Sequence, residues 1–455
     1  MRNALLTKVI NLYIPLSIVL YLLIFIFWGE QACFFINIVN ISVFVGFALL
    51  VLVSYYQKDE FYTKTRLGLT TFVFSMCAVT LYCYMSDYYT GDTFLFSKLD
   101  ALAYYKMSNG LASSNFTHWY EILTSRGWNF DDWGAPVGMS VFYMIWPSKA
   151  TLNIGYVVLT SIAAVSMFDM AKTIMMKRYA YMAALIYSVS SYMIFFNGSH
   201  LKESFMSFII IEYFAFFYKY VNEEKAIYLI ISLFFSVVMA FFRVPVMGLM
   251  WMGGITYLLL RKGNIETYTL VLLGVLYIGF LSMSTLMDAW SRYTSDGDIT
   301  KGENYIGATT FSIYTSIANA CVGPFPEMLQ VGDKIGYKSL FGSGLYFKMF
   351  LALPFWMGLI HCIREKVTNM YPLFVFTILE IICISVVNDG IELRKSMPHI
   401  PTFILCAFWF MSEYDEGADE DIRRTPYYRK VNFLFNMSVV VLFFATFIWS
   451  TYRLL

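Results

Sequence analysis

The chain has 455 residues, of which 59% are hydrophobic and only 14% charged, against about 45–50% and 25% for soluble domains. Thirty-two Lys and Arg oppose 31 Asp and Glu, and a formal charge of +1 leaves no global field to draw in nucleic acid. Seven cysteines stand singly at 33, 77, 83, 321, 362, 383 and 406, without metal-ligand pairing and far below disulfide-scaffold density, which leaves an all-α polytopic membrane protein.

A span needs roughly 20 apolar residues. Apolar runs at 9–28, 33–56, 67–86, 150–170, 179–196, 203–219, 226–242, 246–260, 267–287, 344–362, 370–388, 399–412 and 431–450 predict about thirteen transmembrane helices. The first is read as a span and not a cleaved signal, because its apolar run is too long and a second span follows almost at once. Residues 136–147 (PVGMSVFYMIWP) are too short to cross, and their bounding prolines predict an interfacial or re-entrant helix.

Basic residues in short loops set the orientation. A cytoplasmic N-terminus puts Lys58, Lys64, Arg66, Lys172, Lys177, Arg178, Lys219, Lys225, Arg261, Arg364, Lys366 and Arg423 inside. Two long loops then face outward, dividing the chain into N-terminal helices (1–86), a first extracytoplasmic loop with short helices (87–149), central helices (150–285), a second outer loop (286–343) and C-terminal helices (344–455). Loops this long inside a compact protein are usually functional, and both are rich in Trp, Tyr and Phe. The charged stretch 413–430 reads as a solvated cytoplasmic run.

In the first loop, KLDALAYYKMSNGLA lacks proline and predicts a helix with Asp100 and Tyr104 one turn apart on one face. A carboxylate beside an aromatic face suits a sugar, and an Asp in a first turn equally suits capping. Asp92, Asp131 and Asp132 are further carboxylates in this loop. The segment around Asp100, Tyr104 and Tyr105, with NGLAS after it and DDWGAP at 131–136, resembles the first large outer loop of GT-C superfamily membrane glycosyltransferases. These include protein O-mannosyltransferases and the bacterial aminoarabinose transferase that modifies lipid A. Family members usually carry this loop after the first span, whereas here it follows the third.

Further along, SHLKESF sets His200, Lys202 and Glu203 at the outer start of a span, where they meet either substrate or, for Lys202, lipid headgroups. His200 and Glu203 at i and i+3 also form a two-ligand metal pattern. Arg243, followed by Pro245, interrupts one apolar run too long for a single span. A charge deep in the bilayer costs at least about 2.5–3.5 kcal/mol, so Arg243 belongs in the outer turn of a hairpin, against either a carrier phosphate or ordinary headgroups. The last outer connection, NDGIELRKSMPHIP, gathers Asp389, Glu392, Arg394, Lys395 and His399, and its two adjacent cations need an anion, supplied by the nearby acids or by a substrate. These Lys and Arg positions, and GPFP at 323–326, look like those of bacterial surface-polysaccharide assembly membrane proteins.

The resemblance implies a GT-C-like fold and a bacterial inner-membrane glycosyltransferase. It would move a sugar from a polyprenyl-phosphate-linked donor to a glycan or lipid-linked acceptor on the extracytoplasmic face, in O-antigen or capsule biosynthesis. Asp100 is then the leading catalytic base, with Asp92, Asp131 and Asp132 in reserve. Lys202, Arg243, Arg394 and Lys395 would neutralise the donor phosphate, and Tyr104, Tyr105, His200 and Glu203 would bind substrate. No cofactor is implied, and a divalent metal stays open. A Wzy-type repeat-unit polymerase would need the same parts. A lipid-linked glycan flippase or transporter is a third reading, since Glu212 and Glu380 fall within apolar spans, although no internal repeat supports it. Phosphate-cradling, dinucleotide, zinc-protease and serine-elbow motifs are all absent from the sequence.

Overall fold

The computed structural model describes residues 63–91, 93–95, 98–125, 130–262, 322, 342–387, 397–416, 429–438, 440–441 and 444. Among these, every regular element is helical. Asp92, Arg394, Lys395, the first two predicted spans, the 267–287 span, the GPFP stretch and most of the second outer loop lie outside the described residues.

The described residues include thirteen α-helices: α1 (Thr63–Thr90), α2 (Lys98–Ser113), α3 (Trp119–Thr124), α4 (Gly134–Ile145), α5 (Lys149–Ala171), α6 (Lys177–Val189), α7 (Ser191–Gly198), α8 (Glu203–Glu223), α9 (Ala226–Ala240), α10 (Val244–Lys262), α11 (Gly342–Arg364), α12 (Tyr371–Val387) and α13 (Ile400–Glu416). The residues Thr63–Tyr88 of α1, with α5 and α8, are long and apolar enough to cross a membrane, and α6 with α7 form a fourth candidate bent by 43°. The bend sits at Ser190, whose extended backbone ends α6 and whose hydroxyl caps α7 by accepting from the Met193 N–H at 3.4 Å. No proline or glycine marks that break, so hydropathy reads straight through it.

The predicted short helix at 136–147 is α4, which at 12 residues spans only about 18 Å. Pro136 lies in its first turn, where the missing N–H costs nothing, and Pro147 follows its C-cap. One face buries Met139, Ser140 and Tyr143, while Val141, Met144 and Ile145 remain exposed.

Helices α1, α5, α6 and α8 pack tightly through small residues: Ala163, Ala164, Ala180, Ala183 and Ala184 are all completely buried. Hydroxyl pairs link the helices, Thr71 with Ser188 at 2.9 Å and Tyr187 with Ser207 at 2.6 Å, each satisfying polar groups that a bilayer could not. Ile227, Ile230, Phe234 and Val237 of α9 are exposed, an apolar outer surface suited to lipid. Lys64 at the start of α1 and Lys172 just past α5 both bind Asp169, at 2.5 and 2.7 Å. Both cations therefore lie at one end of the bundle, as the alternation of basic loops predicts. The first loop, α2–α4, covers the opposite end.

Candidate functional site

The turn between α7 and α8 organises that opposite end. Ser199 caps α7, and His200 follows in the left-handed conformation with φ 57°, a position usually taken by glycine or asparagine. Three groups of the turn then reach different parts of the first loop or its neighbours. His200, fully buried, meets the Tyr143 hydroxyl of α4 through Nδ1 at 3.3 Å and packs edge-on to Phe94 at 5.4 Å. The Leu201 carbonyl accepts from Tyr156 of α5 at 2.8 Å. Lys202, 5% exposed, donates to the Asp132 carboxylate and, at 3.1 Å, to the Phe242 carbonyl.

The DDWGAP segment thus docks on the α9–α10 turn. Gly134 N–H donates to the Phe241 carbonyl at 2.7 Å, and the Phe130 ring lies 4.5 Å from that of Phe241. A Cβ at Gly134 would stand 2.6 Å from the Phe242 ring and 2.8 Å from the Phe241 carbonyl, so the approach requires glycine. Arg243 lies in this same turn, half-buried, as the apolar run on either side predicts, and its charge reaches the buried Glu380 of α12.

An aromatic cluster floors the site. Tyr105 packs edge-on to Phe94 at 5.8 Å and to Tyr143 at 5.6 Å. The Lys149 ammonium, at the start of α5, stands 3.9 Å above the Phe94 ring and 5.5 Å from that of Tyr105, within cation–π range. Tyr104, Tyr143 and Glu203 all lie within electrostatic reach of Tyr156, and Tyr104 and Glu203 are themselves buried. The four residues expected to bind substrate, Tyr104, Tyr105, His200 and Glu203, therefore come together.

Burial, and then the nearby Lys149 charge, push the His200 imidazole down to about 3, so the ring is neutral. Burial, helped by Tyr105, holds the Tyr143 phenol well above its ordinary range, which keeps it a donor. The His200 Nε2 is buried and has no hydrogen-bond partner among the described residues.

The carboxylates fare differently. Asp132 is held by Lys202, and Asp131 lies beside it in the short 3₁₀ turn Phe130–Asp132. Asp100 occupies the first turn of α2 as the sequence predicts, but it is exposed while Tyr104 is buried. A second buried pair sits nearby: Lys348 of α11 contacts His399 Nε2 at 2.8 Å, in the 3₁₀ turn Met397–His399 that packs on α8.

Sequence reasoning missed Lys149, Phe94, Tyr143 and Lys348. A signal existed for Lys149: a cation in the first turn opposes the helix macrodipole, and so marks a position held for something other than helix stability. Among the described residues no group of three or more His, Cys, Asp or Glu could hold a metal ion. Compared with known proteins, the chain matches no family model and no curated protein sequence.

Proposed function

We propose that the chain is an integral membrane glycosyltransferase of GT-C-like, roughly thirteen-span architecture, acting on a polyprenyl-phosphate-linked sugar at the extracytoplasmic face of a bacterial inner membrane. One observation carries this reading. A first-loop carboxylate, Asp132, two helix-end cations, Lys202 and Arg243, and a buried aromatic cluster with His200 and Glu203 meet at a single end of the bundle. Transfer from a lipid phosphate needs cationic neutralisation of the leaving group and a carboxylate to take the acceptor proton. The carrier's tail stays in the bilayer while its sugar reaches this end.

Within this reading the weight of the base assignment moves from Asp100 to Asp132, because Lys202 ties Asp132 to the turn that carries His200 and Glu203, whereas Asp100 is exposed. General-base removal typically costs about 10²–10⁴-fold in rate. In a strain lacking the gene, wild-type protein should restore full-length surface glycan, Asp132→Glu should restore part of it, and Asp132→Asn should restore almost none at matched protein level. Full restoration by both Asp132→Asn and Asp100→Asn would end the proposal. Single capped repeats in the deletion strain would identify the transfer as repeat-unit polymerisation.

A further inference from the structure

Lys202 is expected from the sequence to bind the donor phosphate, yet it is 5% exposed and two of its three donors are spent on Asp132 and the Phe242 carbonyl. A phosphate would have to displace an intramolecular carboxylate to reach it. Lys149 presents the contrary case. Its ammonium is only half-buried, rests on the rings of Phe94 and Tyr105, and forms no ion pair with a carboxylate among the described residues. Ring faces hold a cation in place without cancelling its charge. The neighbouring His200 adds a buried Nε2 that has no hydrogen-bond partner among the described residues.

Two features suit this cation to the level of lipid phosphates. Lys149 is the first residue of α5, a 23-residue candidate span, so its side chain lies where the apolar run begins. The residues just before it, Ile145 and Trp146, are 73% and 68% exposed, the kind of amphipathic rim that settles at a membrane interface. The amino end of α5 adds the positive pole of its macrodipole.

We propose that Lys149, caged by Phe94 and Tyr105 beside His200, is the cation that binds the phosphate group of the lipid-linked substrate, and that Lys202 is a clamp that fastens the first loop to the bundle. This rests on the lipid-phosphate reading above and deepens it. The assignment divides two lysines that sequence position alone treats alike. Lys149 carries available charge, and Lys202 carries structure.

The test uses the purified full chain in nanodiscs, with farnesyl phosphate, farnesol and inorganic phosphate as calorimetric probes. Wild type should bind farnesyl phosphate at least tenfold more tightly than farnesol. Lys149→Gln should lose that preference, and Lys149→Arg, which keeps the charge, should retain it within a few-fold. If Lys149→Gln keeps the full preference, the Lys149 site is wrong while the lipid-phosphate reading stands. If wild type itself binds the alcohol as well as the phosphate, the reading fails and takes the site with it. Displacement of farnesyl phosphate by inorganic phosphate at comparable concentration would assign the site to a free anion and overturn the lipid source. Resistance to such displacement supports the lipid headgroup.

Discussion

The ion pairs of Asp169 at one end of the helix bundle differ in exposure from the charged groups around His200 at the other. At the end marked by Lys64, Asp169 and Lys172, the side chains of the two lysines are 49% and 34% exposed and that of the shared acid 22%, and the nearby Lys225–Glu223 pair is exposed as well. At the other end His200, Lys202, Glu203, Lys348 and His399 are all at most 5% exposed. Solvated pairs contribute little and tolerate exchange. Buried ions carry a desolvation penalty that is recovered only through specific partners. Burial of charge at this end therefore supports the proposal that it is the functional one.

The sharpest way to break that contrast is acid. His200 is neutral down to about 3, whereas an unfolded histidine protonates near pH 6.5. Below about pH 6.5 the unfolded chain therefore binds a proton that the folded chain refuses, and stability falls with pH until the folded ring titrates near 3. By pH 4 the single-site loss is about 3 kcal/mol. Asn tolerates the left-handed backbone at this position and does not titrate. Thermal unfolding in detergent between pH 7 and pH 4 should thus fall more steeply for wild type than for His200→Asn. Parallel curves would mean that the imidazole is not held neutral.

Next in size is the clamp. Asp132→Asn leaves the Lys202 ammonium buried against a carbonyl alone. Uncompensated buried charges cost roughly 3–5 kcal/mol, and because the Asp132 side chain is 41% exposed the loss should fall at or below the lower end of that range. Limited proteolysis should then open the first loop near 130–134 before the spans. A smaller effect on the same contact comes from Gly134→Ala, whose methyl would meet a ring edge that can shift and a backbone carbonyl that cannot. Overpacking of this kind typically costs about 1–3 kcal/mol, with the same loop released first. Wild-type cleavage patterns in both variants would show that the loop is anchored elsewhere.

How much of this end was readable in the sequence follows the range of the interactions. Helix existence, the short helix α4 too brief to span and the placement of Arg243 in a turn all rest on local composition, and all appear in the structure. The choice among carboxylates was not local. Helical spacing joins Asp100 to Tyr104, but the partner that matters for a carboxylate, Lys202, lies 70 residues beyond Asp132. The same holds for the Lys149 cage, which needs Phe94 and Tyr105 folded back over the start of α5. The break at Ser190 was missed for a different reason: a hydroxyl cap bends the chain there while leaving the apolar run intact.

The smallest expected effect tests the contrast from its quiet side. Lys64→Met removes one of the two cations on Asp169, while Lys172 keeps its own bond at 2.7 Å from the next turn. The carboxylate therefore stays paired, and the lost contact is of the solvated kind worth about 0.2–1 kcal/mol. Unfolding in detergent should shift by no more than that, and the shift should shrink further as salt is raised, since exposed charges are screened over about 8–10 Å at physiological ionic strength. The Asp132–Lys202 contact, by comparison, should keep most of its effect in high salt, because its lysine is shielded from solvent ions. A Lys64 variant as damaging and as salt-insensitive as Asp132→Asn would erase the distinction between the ends, and with it the argument that burial of charge marks the functional one.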